Sequence, residues 1–163
     1  GRPRGCGTRT AAAIHRTSLP GEFPAILGLH PYTKAYPHRP IVPSPVSTAP
    51  PLQPGREKET GYVEAGDPSF FVRRGYAHIV ANVRGSGKSE GKWVGYRALG
   101  WGELQDGYDT VEWLAKQTWS TGKIGTFGSS QGGFAQNFLA VPKPPHLVAK
   151  YQIDTGMSRS PEG

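Results

Sequence analysis

Apolar positions along this chain follow two rhythms, and one long stretch follows neither. Residues 24–30, Pro-Ala-Ile-Leu-Gly-Leu-His, form a short continuous apolar run ended by Pro31, the pattern of a buried strand. Residues 76–83, Tyr-Ala-His-Ile-Val-Ala-Asn-Val, repeat it and are closed by Arg84-Gly85. Over residues 101–117 the rhythm changes. Leu104, Tyr108, Val111 and Ala115 recur at i, i+4, i+7 and i+11, one face of an amphipathic helix. Glu103 and Asp106 stand near the positive end of that helix. Residues 123–127 read as a strand, 128–133 as a sharp glycine-rich turn, and 134–140 as a helix halted by Pro142. Residues 147–153 form a last strand, and residues 9–17 an early one. Strands alternating with helices at this spacing predict a mostly parallel α/β sheet.

Residues 35–66 carry no periodic apolar pattern, and prolines crowd their centre. The sequence predicts a Pro-rich loop excursion over 35–60, and a loop that long inside a compact domain is usually functional or disordered. A chain of 163 residues has room for one domain and not two. The net charge of +7 raises the question of an anionic partner. Its excess starts with Arg2, Arg4, Arg9 and Arg16, with no acid before Glu22, and the other bases are scattered. No basic stripe is interleaved with aromatics, so a solvated surface is expected, with no nucleic-acid partner. The single cysteine, Cys6, cannot close an intrachain disulfide. No window approaches 18 apolar residues, so no membrane-spanning helix is expected. The start lacks both an initiator Met and an apolar signal core. The expectation is a cytoplasmic, partial sequence.

The chemistry concentrates in Gly128-Ser129-Ser130-Gln131-Gly132, which fits the nucleophile elbow Gly-x-Ser-x-Gly. Such a serine sits on a strained strand-to-helix turn, and its neighbours Gly128 and Gly132 must be small for the backbone to fold back. The turn feeds a helix N-terminus, whose free N–H groups and dipole favour the oxyanion of acyl transfer. The pentapeptide alone is weak, and a plain glycine-rich turn is the competing reading. The apolar strand before it and the helix-compatible stretch after it favour Ser130 as a nucleophile. Arg84-Gly85-Ser86-Gly87-Lys88-Ser89 resembles a phosphate-binding loop, but the full pattern needs glycine where Asn82 stands. The following Glu90-Gly91 and Trp93-Val94-Gly95 also make a poor helix start, so a strand-terminating turn is expected.

In an α/β-hydrolase the loop after the 24–30 strand supplies the second oxyanion donor. Here it reads His30-Pro31-Tyr32-Thr33-Lys34. On local sequence Tyr32 is equally a donor through its hydroxyl or a packed loop tyrosine. His15, His38 and His78 precede the elbow, whereas the α/β-hydrolase order is Ser, then Asp or Glu, then His. His146 and Asp154 follow Ser130 in the wrong order and too soon, since one βαβ unit takes about 30 residues or more. His146 is expected to be a loop residue. No cluster of His, Cys, Asp and Glu has metal-ligand spacing.

Phe71-Val72-Arg73-Arg74-Gly75-Tyr76 followed by Asn82-Val83-Arg84-Gly85-Ser86-Gly87-Lys88-Ser89-Glu90-Gly91 resembles a signature block of the CocE/NonD hydrolases. That group contains the cocaine esterases, the α-amino-acid ester hydrolases and the X-prolyl dipeptidyl peptidases. The run Glu103-Leu104-Gln105-Asp106-Gly107-Tyr108-Asp109 to Glu112-Trp113, then Trp119-Ser120-Thr121-Gly122-Lys123-Ile124-Gly125, resembles the same group's approach to its elbow. Pro31-Tyr32-Thr33-Lys34 resembles its oxyanion-tyrosine segment. The resemblance covers about residues 22–34 and 61–155, leaving residues 1–20 a poorly matched terminus.

The resemblance implies an α/β-hydrolase fold over residues 1–163, truncated before the catalytic Asp and His. It implies Ser130 as nucleophile, with the Gln131 backbone N–H and the Tyr32 hydroxyl as oxyanion donors. It also implies a small-molecule ester or peptide substrate and a reaction that needs no metal or other cofactor. Asn82 departs from the aspartate usual at its position. The group's helical cap and C-terminal jelly-roll domain have no counterpart here. A complete protein would form an acyl-enzyme on Ser130, and the 163-residue chain alone is expected to be inactive and poorly stable. Two rival readings remain: a non-catalytic relic or binding module on the same fold, and a nucleotide binder dependent on Lys88.

Overall fold

The computed structural model describes residues 8–31, 39–40, 60–61 and 64–156. Five strands form one sheet in the order β1-β5-β2-β6-β7. They are β1 (Ala12–His15), β2 (Phe23–His30), β5 (Ala77–Asn82), β6 (Ser120–Ser129) and β7 (Leu147–Ile153). The β2, β5, β6 and β7 strands run parallel. The short β1 is antiparallel to β5 at one edge, so the sheet is mixed, as large α/β sheets often are. All six residues of β5 are buried, which is why apolar Ala77, Ile79, Val80 and Ala81 do not alternate with exposed polar residues. A separate two-residue antiparallel ladder joins β3 (Arg39–Pro40) to β4 (Thr60–Gly61). Residues 41–59, most of the Pro-rich excursion, lie outside the described residues.

Helices cover both faces. In β6, successive side chains point to opposite faces. Thr126 donates to Gln136 of α3 (Ser130–Ala140) at 2.6 Å. Its neighbour Phe127 meets Phe71 of α1 (Pro68–Val72) edge-on at 5.3 Å. Helix α2 (Asp106–Ala115) packs beside α3 on β6. Leu27, Leu29, Ile79, Val111, Leu114, Ile124 and Leu139 form the core between them. Burying each such side chain contributes about 1.5–3 kcal/mol.

Three elements differ from the sequence expectation. The helix expected over 101–117 begins only at Asp106, after a 3₁₀ turn at Tyr96–Leu99. Its buried stripe is Gly107, Val111 and Leu114, so Leu104 lies before the helix. A glycine sits in the stripe because a Cβ at position 107 would stand 2.6 Å from the Leu99 carbonyl oxygen. Helix α1 has no apolar period long enough to predict it. It is started by local chemistry instead: the Asp67 carboxylate accepts from the Ser69 N–H at 2.8 Å, and proline occupies its first position. The turn expected over 128–133 is compressed to a single residue, because β6 runs to Ser129 and α3 starts at Ser130.

Candidate functional site

The parallel strands end together, and Ser130 stands at that carboxyl end, where open α/β sheets place their ligand sites. Ser129 is still extended, with φ −106° and ψ 162°, and Ser130 turns to φ 47° as the first residue of α3. A left-handed conformation costs a non-glycine residue about 1–2 kcal/mol, so the surroundings must hold it. One residue makes the whole reversal, and the neighbouring glycines serve close approach. A Cβ on Gly128 would lie 2.6 Å from the Gly132 carbonyl carbon, and one on Gly133 would lie 2.8 Å from Thr155 Cγ2. Ser130 itself is exposed while Gly128, Gly132 and Gly133 are buried, so the fold presents this one side chain to solvent.

Glu64 packs against the elbow. Its carbonyl oxygen accepts from the Ser129 N–H at 3.0 Å, and its carboxylate accepts from the Gly132 N–H at 2.8 Å. Ser129 makes no side-chain cap of its own, so Glu64 caps α3 from a distant part of the chain. Nothing in the local sequence around Glu64 signals this. Beside the elbow, Pro31, Trp93, Gly95, Tyr96, Gln131, Phe134 and Phe138 line a pocket of about 530 Å³. Tyr96 meets Trp93 and Phe134 edge-on at 5.3 and 5.6 Å, and Phe134 meets Phe138 at 5.2 Å. Among the described residues no charged side chain lines the pocket.

Gln131 is therefore both in the first turn of α3 and on the pocket wall. Tyr32 and His38 lie outside the described residues; Pro31, at the end of β2, lines the same pocket as Gln131. Among the described residues, none hydrogen-bonds to the Ser130 hydroxyl. His146 sits just before β7, at the opposite end of the sheet, with Nδ1 2.9 Å from Glu112 Oε2. Asp154 follows Ile153, the partner of Ser129 in the sheet register, so the fold brings it to the elbow's end, where its side chain is exposed. His30 and His78 are buried. The His78 Nε2 lies 2.8 Å from the Ala65 carbonyl oxygen, its ring stacks on Phe71 at 4.8 Å, and burial pushes its imidazole down to about 4. It is a packing residue of β5 lying against α1, which burial keeps neutral.

The glycine-rich segment after β5 is a packed turn. Ser86 Oγ donates to the Val83 carbonyl and Ser89 Oγ to that of Asn82, each at 2.8 Å. A Cβ on Gly85 would fall 2.1 Å from the Trp93 nitrogen. No helix follows until the 3₁₀ turn at Tyr96, which removes the strand–loop–helix frame a phosphate-binding loop requires. Among the described residues no group of three or more His, Cys, Asp or Glu side chains could hold a metal ion. Among them, too, no helix is long and apolar enough to cross a membrane.

The family model described as X-Pro dipeptidyl-peptidase (S15 family) matches residues 7–160. Cocaine esterase from Rhodococcus sp. is 29% identical over 135 residues, which are 83% of this chain and 19% of that protein. A CocE/NonD family hydrolase from Staphylococcus aureus superposes with a TM-score of 0.71 at 30% identity, over 88% of this chain and 24% of the other. An α-amino acid ester hydrolase superposes with a TM-score of 0.62 at 31% identity, over 88% and 22%. The chain thus spans about a fifth to a quarter of the length of these relatives, and shares with them the α/β-hydrolase architecture.

Proposed function

The chain belongs to the S15 family, that of the X-Pro dipeptidyl-peptidases, and we propose that it is the nucleophile-bearing part of a serine hydrolase whose Ser130 attacks the carbonyl of an ester or amide. The observation that carries this reading is the conformation of Ser130. A non-glycine residue at φ 47°, exposed at the carboxyl end of an inner strand and opening a helix, is a strained placement of the kind found where function requires it.

The chemistry follows from that placement. Ser130 Oγ bonds to the carbonyl carbon as its proton passes to a histidine base, and the carbonyl oxygen becomes an oxyanion. The Gln131 backbone N–H, at the positive end of α3, and the Tyr32 hydroxyl donate to that oxygen. The carbon–heteroatom bond then breaks, the alcohol or amine leaves with the proton, and an acyl-enzyme remains on Ser130. Water releases the acid in a second pass of the same steps. The chain spans 19% of cocaine esterase, and the histidine and its orienting acid come from the rest of such a longer protein. The relatives are named for an ester and an amino acid ester, and the family for an X-Pro dipeptide. These names support a small ester or peptide as substrate.

Fluorophosphonate labelling of the longer protein that carries this chain tests the assignment. The adduct is expected on Ser130 and is expected to disappear in Ser130→Ala. An adduct on Ser129 or Ser86, or none on an enzyme that turns over, overturns it.

A further inference from the structure

Glu64 touches the elbow twice, and the two contacts fall on either side of the reacting residues. Its carbonyl oxygen holds the N–H of Ser129, one residue before Ser130. Its carboxylate holds the N–H of Gly132, one residue after Gln131. Ser130 and Gln131 are the two residues between these anchors. We propose that Glu64 is a positioning residue for acyl transfer, fixing the strained Ser130 conformation and the direction of the Gln131 N–H from both sides. This inference rests on the proposed role of Ser130.

The physical need for such a clamp is specific. A helix start leaves several backbone N–H groups without helical partners, and here the Ser129 side chain caps none of them. An elbow requires a division among those donors: some must be satisfied for the turn to hold, and one must stay available to the oxyanion. The Glu64 carboxylate takes the Gly132 N–H, while no described residue accepts from the Gln131 N–H. The clamp is itself anchored. Glu64 has φ 64°, which turns its carbonyl and its side chain toward the same helix end. The next residue, Ala65, is 1% exposed. Its carbonyl oxygen lies 2.8 Å from His78 Nε2, and its Cβ lies 2.6 Å from where a Cβ on Gly28 would stand. Residues 28, 64, 65 and 132 therefore fit with no spare volume. A carboxylate at a helix N-terminus is also favourable against the dipole, so the clamp stabilises α3 while it orients Ser130.

If the hydrogen bond to Gly132 is what matters, glutamine can replace glutamate, because its amide oxygen still accepts. Glu64→Gln and Glu64→Ala in the longer protein are to be compared by the rate of fluorophosphonate labelling, by kcat and KM on an ester, and by thermal melt. Misplacing a reacting group by about 1 Å can cost 10²-fold in rate. Glu64→Ala is expected to lose roughly 10- to 100-fold in labelling rate and kcat with KM within about threefold, and Glu64→Gln to stay within about threefold of the parent. A folded Glu64→Ala within threefold of the parent overturns the proposal, and so does a Glu64→Gln as impaired as the alanine variant.

Amide hydrogen exchange followed by NMR on the longer protein decides the point without catalysis, including where Glu64→Ala does not fold. The Gly132 amide, bonded to the Glu64 carboxylate, is expected to be protected from exchange in the unaltered protein and in Glu64→Gln. A Gly132 amide that exchanges as freely as an unbonded one in the unaltered protein overturns the clamp. Absence of labelling in the unaltered protein would instead count against Ser130, leaving the NMR result to judge Glu64.

Discussion

Arg84 closes a two-pronged ion pair on Asp106, with Nε 2.7 Å from Oδ2 and Nη2 2.5 Å from Oδ1. Both side chains are nearly out of water, at 8% and 11% exposure. The pair locks the turn after β5 to the first residue of α2, and Arg84 Nη1 reaches on to Thr8 Oγ1 at 2.7 Å. Removing one member of a buried pair leaves the other charge without compensation, which costs about 3–5 kcal/mol. Asp106→Ala is therefore expected to lower the unfolding free energy by about 3 kcal/mol or more. Arg84→Lys should not substitute, because a lysine ammonium cannot make the forked contact. Urea denaturation measures both, and a loss under about 1 kcal/mol for Asp106→Ala would show that the pair does not hold α2 in place.

Gly128 leaves no room for a side chain at the elbow. A Cβ there would lie 2.6 Å from the Gly132 carbonyl carbon and 2.8 Å from its oxygen, and backbone atoms cannot rotate aside as a side chain can. Gly128→Ala must push α3 away from β6, and overpacking of this kind costs about 1–3 kcal/mol. The expected result is a lowered melting temperature together with at least a tenfold loss of Ser130 labelling. Gly75 supplies the contrast, since a Cβ there meets nothing within 4 Å and only its φ of 82° is unfavourable. Gly75→Ala should cost about 1–2 kcal/mol and leave labelling of the folded protein unchanged. Equal labelling losses in the two variants would refute the steric account.

The contrast between these glycines shows what the sequence could and could not convey. The β7 strand at 147–153 was legible to the residue, because a parallel strand between turn signals needs only local pattern. The strand-to-helix reversal at Ser130 was legible from the pentapeptide, since small neighbours around a serine are a sequence feature. The start of α2 was not, because Gly107 occupies the buried stripe for the sake of Leu99 and Leu139, neighbours that exist only once the chain has folded. Glu64 was illegible for the same reason. Its partner Gly132 is 68 residues away, and no periodicity or motif joins them. Helix α1 was within reach: Asp67-Pro68 is a helix-start signal, hidden by the glycine- and proline-rich stretch before it.

His78 gives the protein an acid-sensitive core. Burial, against the opposing Ala65 carbonyl and Asp67 and helped by the nearby His15, brings its imidazole down from 6.5 to about 4. The unfolded chain therefore binds a proton between about pH 6.5 and 4 that the folded chain refuses, so stability falls as the pH falls through that window. The loss between about pH 7 and 5 is on the order of 2 kcal/mol from this residue. Urea midpoints across the range should show it, and His78→Phe should flatten the slope by one proton at the cost of the contact to Ala65. An unchanged slope in His78→Phe would assign the acid sensitivity elsewhere.

The pocket beside Gln131 is aromatic. Trp93, Tyr96, Phe134 and Phe138 wall it with ring faces and edges, and among the described residues no charged side chain reaches its lining. A charged group entering it would lose hydration and gain no partner, whereas a planar apolar group would exchange water for ring contacts worth about 0.5–1.5 kcal/mol per pair beyond the area buried. With Ser130 as nucleophile, esters bearing an aromatic group near the scissile carbonyl should be turned over with higher kcat/KM than charged esters of equal reactivity. Trp93 is the wall to test, since it is 47% exposed and its truncation leaves the core intact. Trp93→Ala in the longer protein should reduce kcat/KM for an aryl ester about tenfold, equivalent to about 1.4 kcal/mol. An acetyl ester of the same leaving group, too short to reach the rings, should change by less than threefold. A uniform loss on both substrates would mean that Trp93 supports the elbow helix rather than the substrate, through its ring contact with Tyr96, which in turn meets Phe134 of α3. No loss on either would remove this pocket from the substrate's path.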